Sequence, residues 1–265
     1  YYLYKLYFRD VDINGKIIET VTYAVDPYAN SVSVNGDKGY VLDINEKSTK
    51  PIGFTNHPIP ILSEKDDSII YEMHIRDFTI DESSGVINDL RGTYLGTVEE
   101  NTIYKNPYNG KCVKTGIDHL CELGITHVHL MPIFDFGSVD ERFPGSNNRN
   151  WGYDPKNFNV PEGSYCSNPY NPVTRILELR QMIMKFHERG IRVVMDMVYN
   201  HMMSTVNMDN IVPGYYFRSD YLGRYTNGSG CGNELASERP MVRKFIIDSC
   251  LHWIKDYKID GIRFD

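Results

Sequence analysis

The stretch IRVVMDMV, residues 191–198, decides the fold. It is almost continuously apolar, which is typical of a strand buried on both faces of a parallel sheet. Gly190 precedes it and ends a predicted helix. The apolar face of that helix is formed by Ile176, Leu179, Ile183 and Phe186. A helix that leads directly into a buried strand is the repeating unit of parallel α/β folds.

The same unit recurs on both sides of this stretch. The sequence predicts further strands at IIYEMHIRDF (69–78), ITHVHLMP (125–132) and IDGIRFD (259–265). It predicts helices that end at Gly124, begin at Asn171-Pro172, and run from about Ser237 to Tyr257.

The loops that follow these strands are much longer than those that precede them. Long loops on one rim favour a (β/α)8 TIM barrel with its site at the carboxyl ends of the strands, here its first four β/α units. A doubly wound sheet is the alternative, but the chain has neither a G-x-G-x-x-G motif nor a P-loop.

Three segments are predicted along the chain. Residues 1–45 look all-β, with turn signals at Asn14-Gly15 and Asn35-Gly36, and are interpreted as the end of a β-module. Residues 46–68 are polar and proline-rich and are interpreted as a linker. Residues 69–265 form the half-barrel. Because the chain begins without Met and both ends fall in predicted strands, we expect a fragment whose termini do not report localisation.

Composition narrows the classes of partner. The net charge is -7 and no block of Lys or Arg suggests a nucleic-acid groove, while no run of eighteen apolar residues could span a membrane. The 20 Tyr fit ordinary packing, or a cleft in which aromatic faces stack on sugars. None of the five Cys forms a C-x-x-C pair, so we expect no zinc site, mostly buried thiols, and leave one disulfide open.

Candidate catalytic residues lie at the predicted strand ends. Arg263 and Asp265 are two residues apart on a strand and share one face, the barrel interior, while Phe264 points outward. A neighbouring guanidinium favours an ionised carboxylate, which a nucleophile requires. The alternative is a structural ion pair. Asp196 lies within an apolar strand and must be paired if it is buried, and Arg263 on the next strand is the expected partner.

Other candidates come from the loops and neighbouring strands. Asn200 and His201 follow the third strand, and His201 is a candidate donor to sugar hydroxyls. In the stretch NWGYDP (150–155), Tyr153 is a candidate stacking platform and Asp154 a candidate acceptor. Each of these residues also fits a purely structural role. His74 and His129, on the first two strands, either line the cleft or are satisfied core histidines.

Taken together and in this order, residues 69–265 resemble the α-amylase superfamily of retaining glycosidases. DMVYNH (196–201) and GIRFD (261–265) match two of its short signatures, the second of which carries the nucleophile. NWGYDP looks like the hallmark of type I pullulanases, and GCGNELASERPMV (230–242) is similar to their sequences. VDPYA (25–29) and VNGDKGYVLD (34–43) resemble the end of the β-sandwich, carbohydrate-binding-like module that precedes the barrel in pullulanases. One departure is Arg149, where the residue before NWGYDP is usually Tyr.

The resemblance implies roles for these residues. Asp265 would be the nucleophile and Arg263 its electrostatic partner. Tyr153, Trp151 and His201 would hold the sugar, with Asp154 and Asn200 as further sugar or supporting contacts. Asp196 would be a structural acid.

The resemblance also implies a substrate and a missing group. The partner would be a branched α-glucan such as pullulan, amylopectin or a limit dextrin, and the oligomeric state is left open. The general acid would be a Glu after a fifth strand, so we expect these 265 residues alone to be inactive. The chemistry needs no cofactor. Some family members hold Ca²⁺ near the position of Asn200, but no dense cluster of oxygen ligands is evident, so we expect no metal site.

Three alternatives remain. An isoamylase-type debranching enzyme and a glucan-branching transglycosidase share the fold and signatures. A non-catalytic glucan-binding relative would be expected to lack Asp265.

Overall fold

The computed structural model describes residues 1–143 and 149–265. Its strands are β1 Tyr4–Val11, β2 Ile17–Ala24, β3 Ile70–Met73, β4 Ile103–Lys105, β5 Cys112–Lys114, β6 His127–Leu130, β7 Phe134–Phe136, β8 Pro155–Pro161, β9 Arg192–Met197 and β10 Gly261–Phe264. Its α-helices are α1 Ile75–Thr79, α2 Gly116–Leu123, α3 Thr174–Glu188, α4 Val206–Asp209 and α5 Pro240–Tyr257.

Four strands form one parallel sheet in the order β3-β6-β9-β10. Each strand lies beside the next one along the chain, with α2, α3 and α5 in the connections, as in the first half of a (β/α)8 barrel. A doubly wound sheet would reverse its strand order at a switch point, and this sheet does not. The predicted fold class is therefore confirmed.

The register of the sheet aligns the candidate residues. Asp196 on β9 pairs with Arg263 on β10, and Glu72 on β3 pairs with His129 on β6. On the helix side, Trp253 of α5 and Phe186 of α3 are fully buried. The hydrogen bonds between neighbouring strands set the spacing of the polar groups at their carboxyl ends, and the helices bury the outer face of the sheet.

The first barrel strand is shorter than the sequence predicted. The stretch 69–78 was expected to be a single strand, but β3 ends at Met73 and α1 begins at Ile75. His74 explains the change, because its Nδ1 accepts a hydrogen bond from the Asp77 N–H and so caps α1. The pattern of apolar residues cannot predict that a histidine side chain caps a helix.

The N-terminal segment contains a two-stranded antiparallel hairpin, β1-β2. Beyond it, residues 25–45 contain a short 3₁₀ turn, Val34–Gly36, and isolated bridges at Gly39 rather than a regular third strand. Val25, Ala29 and Val32 pack on Val160 of β8. The boundary at residue 45 stays a prediction.

Part of the segment 46–68, predicted as a linker, contacts α3 and the end of α5. Arg180 of α3 donates to the carbonyl oxygens of Ile44 (3.0 Å), Thr49 (2.9 Å) and Asp256 (2.9 Å). Its guanidinium also stacks on the rings of Phe54 and Tyr257. A buried arginine thus finds its partners in backbone carbonyls, which immobilises the first part of this segment.

The cysteines depart from expectation in part. All five are free thiols; Cys166 is buried, whereas Cys112 and Cys231 are exposed, so the prediction of mostly buried thiols is wrong for these two. Among the residues that the structure describes, no helix is both long and apolar enough to cross a membrane.

Candidate active site

The end of β10 carries an arginine that bridges two carboxylates. Arg263 Nη1 lies 2.6 Å from Asp265 Oδ1 and 3.2 Å from both oxygens of Asp196. Asp196 is fully buried, and these donors satisfy its carboxylate oxygens. The pKa of Arg263 is raised, first by the hydrogen bond to Asp265 and then by Asp196. The guanidinium therefore stays protonated and orients Asp265 at the open end of the sheet.

The second oxygen of Asp265 is held from the loop that follows β9. Asn200 Nδ2 donates to Asp265 Oδ2 at 3.1 Å. Its Oδ1 lies against His201 Nδ1, and His201 Nε2 donates to the carbonyl oxygen of Tyr153 at 2.9 Å. Both ring nitrogens of His201 therefore face protein oxygens. His201 thus lies within the network around Asp265, and its role toward a sugar stays a prediction.

Tyr153 reaches into the same network from the loop before β8. Its hydroxyl donates to Asp196 Oδ2 at 2.9 Å, and burial raises its pKa. The preceding Gly152 has φ +91°, and a Cβ there would lie 2.9 Å from Pro132 and 3.0 Å from Phe136. Only glycine allows this approach of the loop, which sets the height of the Tyr153 ring above the sheet.

The other two candidates in this loop face different surroundings. Asp154 Oδ1 accepts a hydrogen bond from Asn150 Nδ2 at 2.9 Å, and burial raises the pKa of its carboxyl group. These contacts favour support of the loop over contact with a sugar. Trp151 is 54% exposed, with the Arg149 guanidinium over its ring. Its open face leaves it free to stack on a ligand.

The two remaining histidine candidates, His74 and His129, also have different contacts. His74 Nε2 donates to the carbonyl oxygen of Asn150 at 2.9 Å, and burial lowers its pKa. It is thus a neutral structural histidine that ties α1 to the Tyr153 loop. His129 lies between Glu72 (3.6 Å) and Asp196 (3.4 Å). Glu72 was not among the sequence candidates, because its proximity to His129 depends on the register of β3 and β6.

The expectation of no oxygen-ligand cluster needs correction. Asp135, Glu141 and Glu162 come together in the interior, each at most 1% exposed. They lie on β7, on the loop after it and next to β8, so no compact spacing in the sequence announced them. A cation already faces them, because Arg175 Nη2 lies 2.7 Å from Glu141 Oε2 and Nη1 lies 3.3 Å from Asp135 Oδ1. This group does not include Asn200 or Asp265.

Comparison with known proteins places this arrangement in a family. A family model for the α-amylase catalytic domain matches residues 109–212. The chain is 46% identical over 255 residues to a pullulanase of Bacillus subtilis (strain 168), covering 95% of this chain and 33% of that protein. It is 36% identical over 277 residues to the chloroplastic isoamylase 3 of Oryza sativa subsp. japonica, covering 95% of this chain and 33% of that protein.

Solved structures show the same similarity. The pullulanase from Paenibacillus barengoltzii, in complex with maltohexaose and alpha-cyclodextrin, superposes with a TM-score of 0.88 at 47% identity, over 98% of this chain and 39% of that one. The pullulanase from Bacillus acidopullulyticus gives a TM-score of 0.85 at 44% identity, over 97% and 33%. The chain thus spans about a third of the length of the curated relatives that it matches. The chain belongs to the α-amylase family, and its sequence and fold are similar to those of pullulanases along nearly its whole length.

Proposed function

We propose that the complete gene product is a pullulanase that hydrolyses α-1,6-glucosidic links in pullulan, amylopectin and limit dextrins with retention of configuration. The observation that supports this most directly is that two side chains bind the carboxylate of Asp265. Arg263 binds one of its oxygens and Asn200 the other. A carboxylate oriented in this way, at the carboxyl end of a barrel strand, is suited to attack an anomeric carbon.

Each residue of the network then has a task. Asp265 attacks the anomeric carbon and forms a covalent glycosyl ester as the leaving oxygen takes a proton from a general acid. Arg263 orients the carboxylate through its hydrogen bond to Asp265 Oδ1. Tyr153 stacks on the sugar next to the scissile bond. The hydrogen bond from its hydroxyl to Asp196 fixes the ring against the sheet. Trp151 offers a second stacking face, and His201 supports the loop that carries Tyr153.

The general acid is expected from a fifth barrel strand. In retaining glycosidases the two carboxyl groups lie roughly 5 Å apart, so the acid must come from a neighbouring strand end. Asp196 is unsuited to this work, because it is fully buried and already accepts hydrogen bonds from Arg263 and Tyr153. Residues 1–265 expressed alone are therefore expected to show no pullulan hydrolysis above background.

The test is an assay of the complete gene product on pullulan, with glycogen as the comparison substrate. Maltotriose as the dominant product from pullulan supports the proposal. Cleavage of glycogen without cleavage of pullulan would favour the isoamylase alternative, which the 36% identity to an isoamylase keeps relevant. Transfer of glucan chains without net hydrolysis would favour a branching enzyme, and binding without turnover a non-catalytic relative.

A further inference from the structure

A buried ionic cluster joins the N-terminal segment to the barrel at a distance from the catalytic network. It consists of Asp135, Glu141, Glu162 and Arg175, which are all at most 1% exposed. Three carboxyl groups facing one guanidinium carry a formal charge of about -2 if all are ionised, and such an excess of buried charge is strongly unfavourable. The cluster must therefore gain positive charge from elsewhere.

The geometry shows which carboxyl groups the arginine satisfies. Glu141 receives both arms of Arg175, at 2.9 and 2.7 Å. Asp135 receives only a longer contact of 3.3 Å, with a second donor in Asn157 Nδ2 at 2.7 Å. Glu162 accepts hydrogen bonds from the backbone N–H groups of Phe136 and Ser164. Among the residues that the structure describes, neither Asp135 nor Glu162 has a cationic partner that it does not share or that lies closer than 3.3 Å.

A turn of the N-terminal segment covers this cluster. The Asn35 N–H donates to Glu141 Oε2 at 2.6 Å, and Asn157 Nδ2 donates to the Gly36 carbonyl at 3.0 Å as well as to Asp135. Gly36 is buried against Asp135, since a Cβ there would lie 2.4 Å from Asp135 Oδ2. Asp37, the next residue, is exposed. The turn 33–37 thus separates Asp135 from solvent.

We propose that the cluster binds a proton on its Asp135–Glu162 side, and that loss of this proton as the pH rises weakens the docking of the turn 33–37 on the barrel. An ionised Asp135 would need water, and the turn is what separates it from water. Opening of the turn is therefore the response that solvates the new charge.

The other groups around Asp135 are consistent with this response. Burial, and then the charge of Glu141, raise the pKa of Asp135 to about 7, and Arg175 and Lys156 oppose the rise without cancelling it. Burial also raises the pKa of Glu162, followed by the charges of Glu141 and Asp135. Lys156 itself is engaged by the Asn35 carbonyl and by Asp37. Cys166, near Arg175, has a pKa raised by burial to about 12 and stays neutral.

The sign of the effect follows from proton linkage. The docked state has the raised pKa and binds more protons than the open state, in which Asp135 returns toward 3.8. Docking is therefore at full strength below about pH 4 and is lost progressively as the pH rises to about 7. One released proton changes the opening equilibrium about tenfold per pH unit within this window.

Hydrogen exchange of the complete gene product tests the proposal. The readout is the protection of peptides covering residues 33–39 between about pH 5 and 8, corrected for the intrinsic pH dependence of exchange. We expect protection in the wild type to fall by at least about tenfold across this range. Asp135→Asn should show a clearly smaller fall, because its amide cannot ionise. Asp66→Asn, an exposed aspartate, is the matched control and should behave as the wild type does.

Two outcomes would overturn the proposal. One is protection that does not change with pH in the wild type. The other is protection that EDTA abolishes and added divalent cation restores, since that would mean a metal ion completes the cluster in place of a proton.

Discussion

The Tyr153 hydroxyl donates to Asp196 Oδ2 at 2.9 Å, which links the loop before β8 directly to β9. Through Asp196 this bond reaches Arg263 and then Asp265. The aromatic platform and the proposed nucleophile are therefore positioned by one buried carboxylate, so a change at any member should be felt at the others.

Replacing the proposed nucleophile, Asp265→Asn, should abolish turnover. The amide cannot form the glycosyl ester, and loss of an essential nucleophile costs on the order of 10⁴-fold or more in kcat. The measurement is pullulan hydrolysis by the complete gene product, with Asp66→Asn as the matched exposed variant. Activity within tenfold of the wild type would remove Asp265 from the mechanism.

The Tyr153 hydroxyl and ring should have separable effects. Tyr153→Phe keeps the stacking face but removes one hydrogen bond to a charged, buried acceptor, a loss of about 1.5–3 kcal/mol. We expect kcat to fall roughly tenfold with KM changed little, whereas Tyr153→Ala should also raise KM because the stacking face is lost. Equal kinetics for Tyr153→Phe and wild type would show that the bond to Asp196 does not position the ring.

Arg263→Ala should affect stability as well as activity. Asp196 is fully buried and would lose its cationic partner, which should lower the free energy of unfolding by about 2 kcal/mol, less than for a fully buried pair because Arg263 is partly exposed. Chemical denaturation measures this, with Arg243→Ala on the outer surface of α5 as the control. If the two variants unfold alike, Asp196 does not depend on Arg263.

Thiol reactivity should separate the cysteines by burial. Burial raises the pKa of Cys166 to about 12, so its thiolate fraction near neutral pH is very small. Iodoacetamide should label the exposed Cys112 and Cys231 in the folded protein, and Cys166 only after unfolding in guanidinium. Peptide mass spectrometry measures the order of labelling. Early labelling of Cys166 would mean that its surroundings open readily.

Local patterns in the sequence predicted the barrel strands and helices. They did not show where the first barrel strand ends and α1 begins. The apolar run 191–198 contains β9, and Gly124 and Gly190 follow the ends of α2 and α3 as expected. The stretch 69–78 was assigned wholly to a strand because the capping of α1 by the His74 imidazole is a contact, not a pattern. The contact of the Thr49 carbonyl with Arg180 could not be predicted either, because every residue has a backbone carbonyl. The linker assignment of residues 46–68 stays a prediction.

The sequence by itself determined the α/β class, the order of the barrel strands, and the placing of Arg263 and Asp265 on one face of a strand end. These depend on periodicity and on the i, i+2 geometry of a single strand, which are local. Only the tertiary structure decided that Asn200 holds Asp265, that Tyr153 is tied to Asp196, and that the carboxyl groups of Asp135, Glu141 and Glu162 come together. Those contacts join residues far apart in the chain, so they depend on sheet register and loop packing, which no short stretch of sequence encodes.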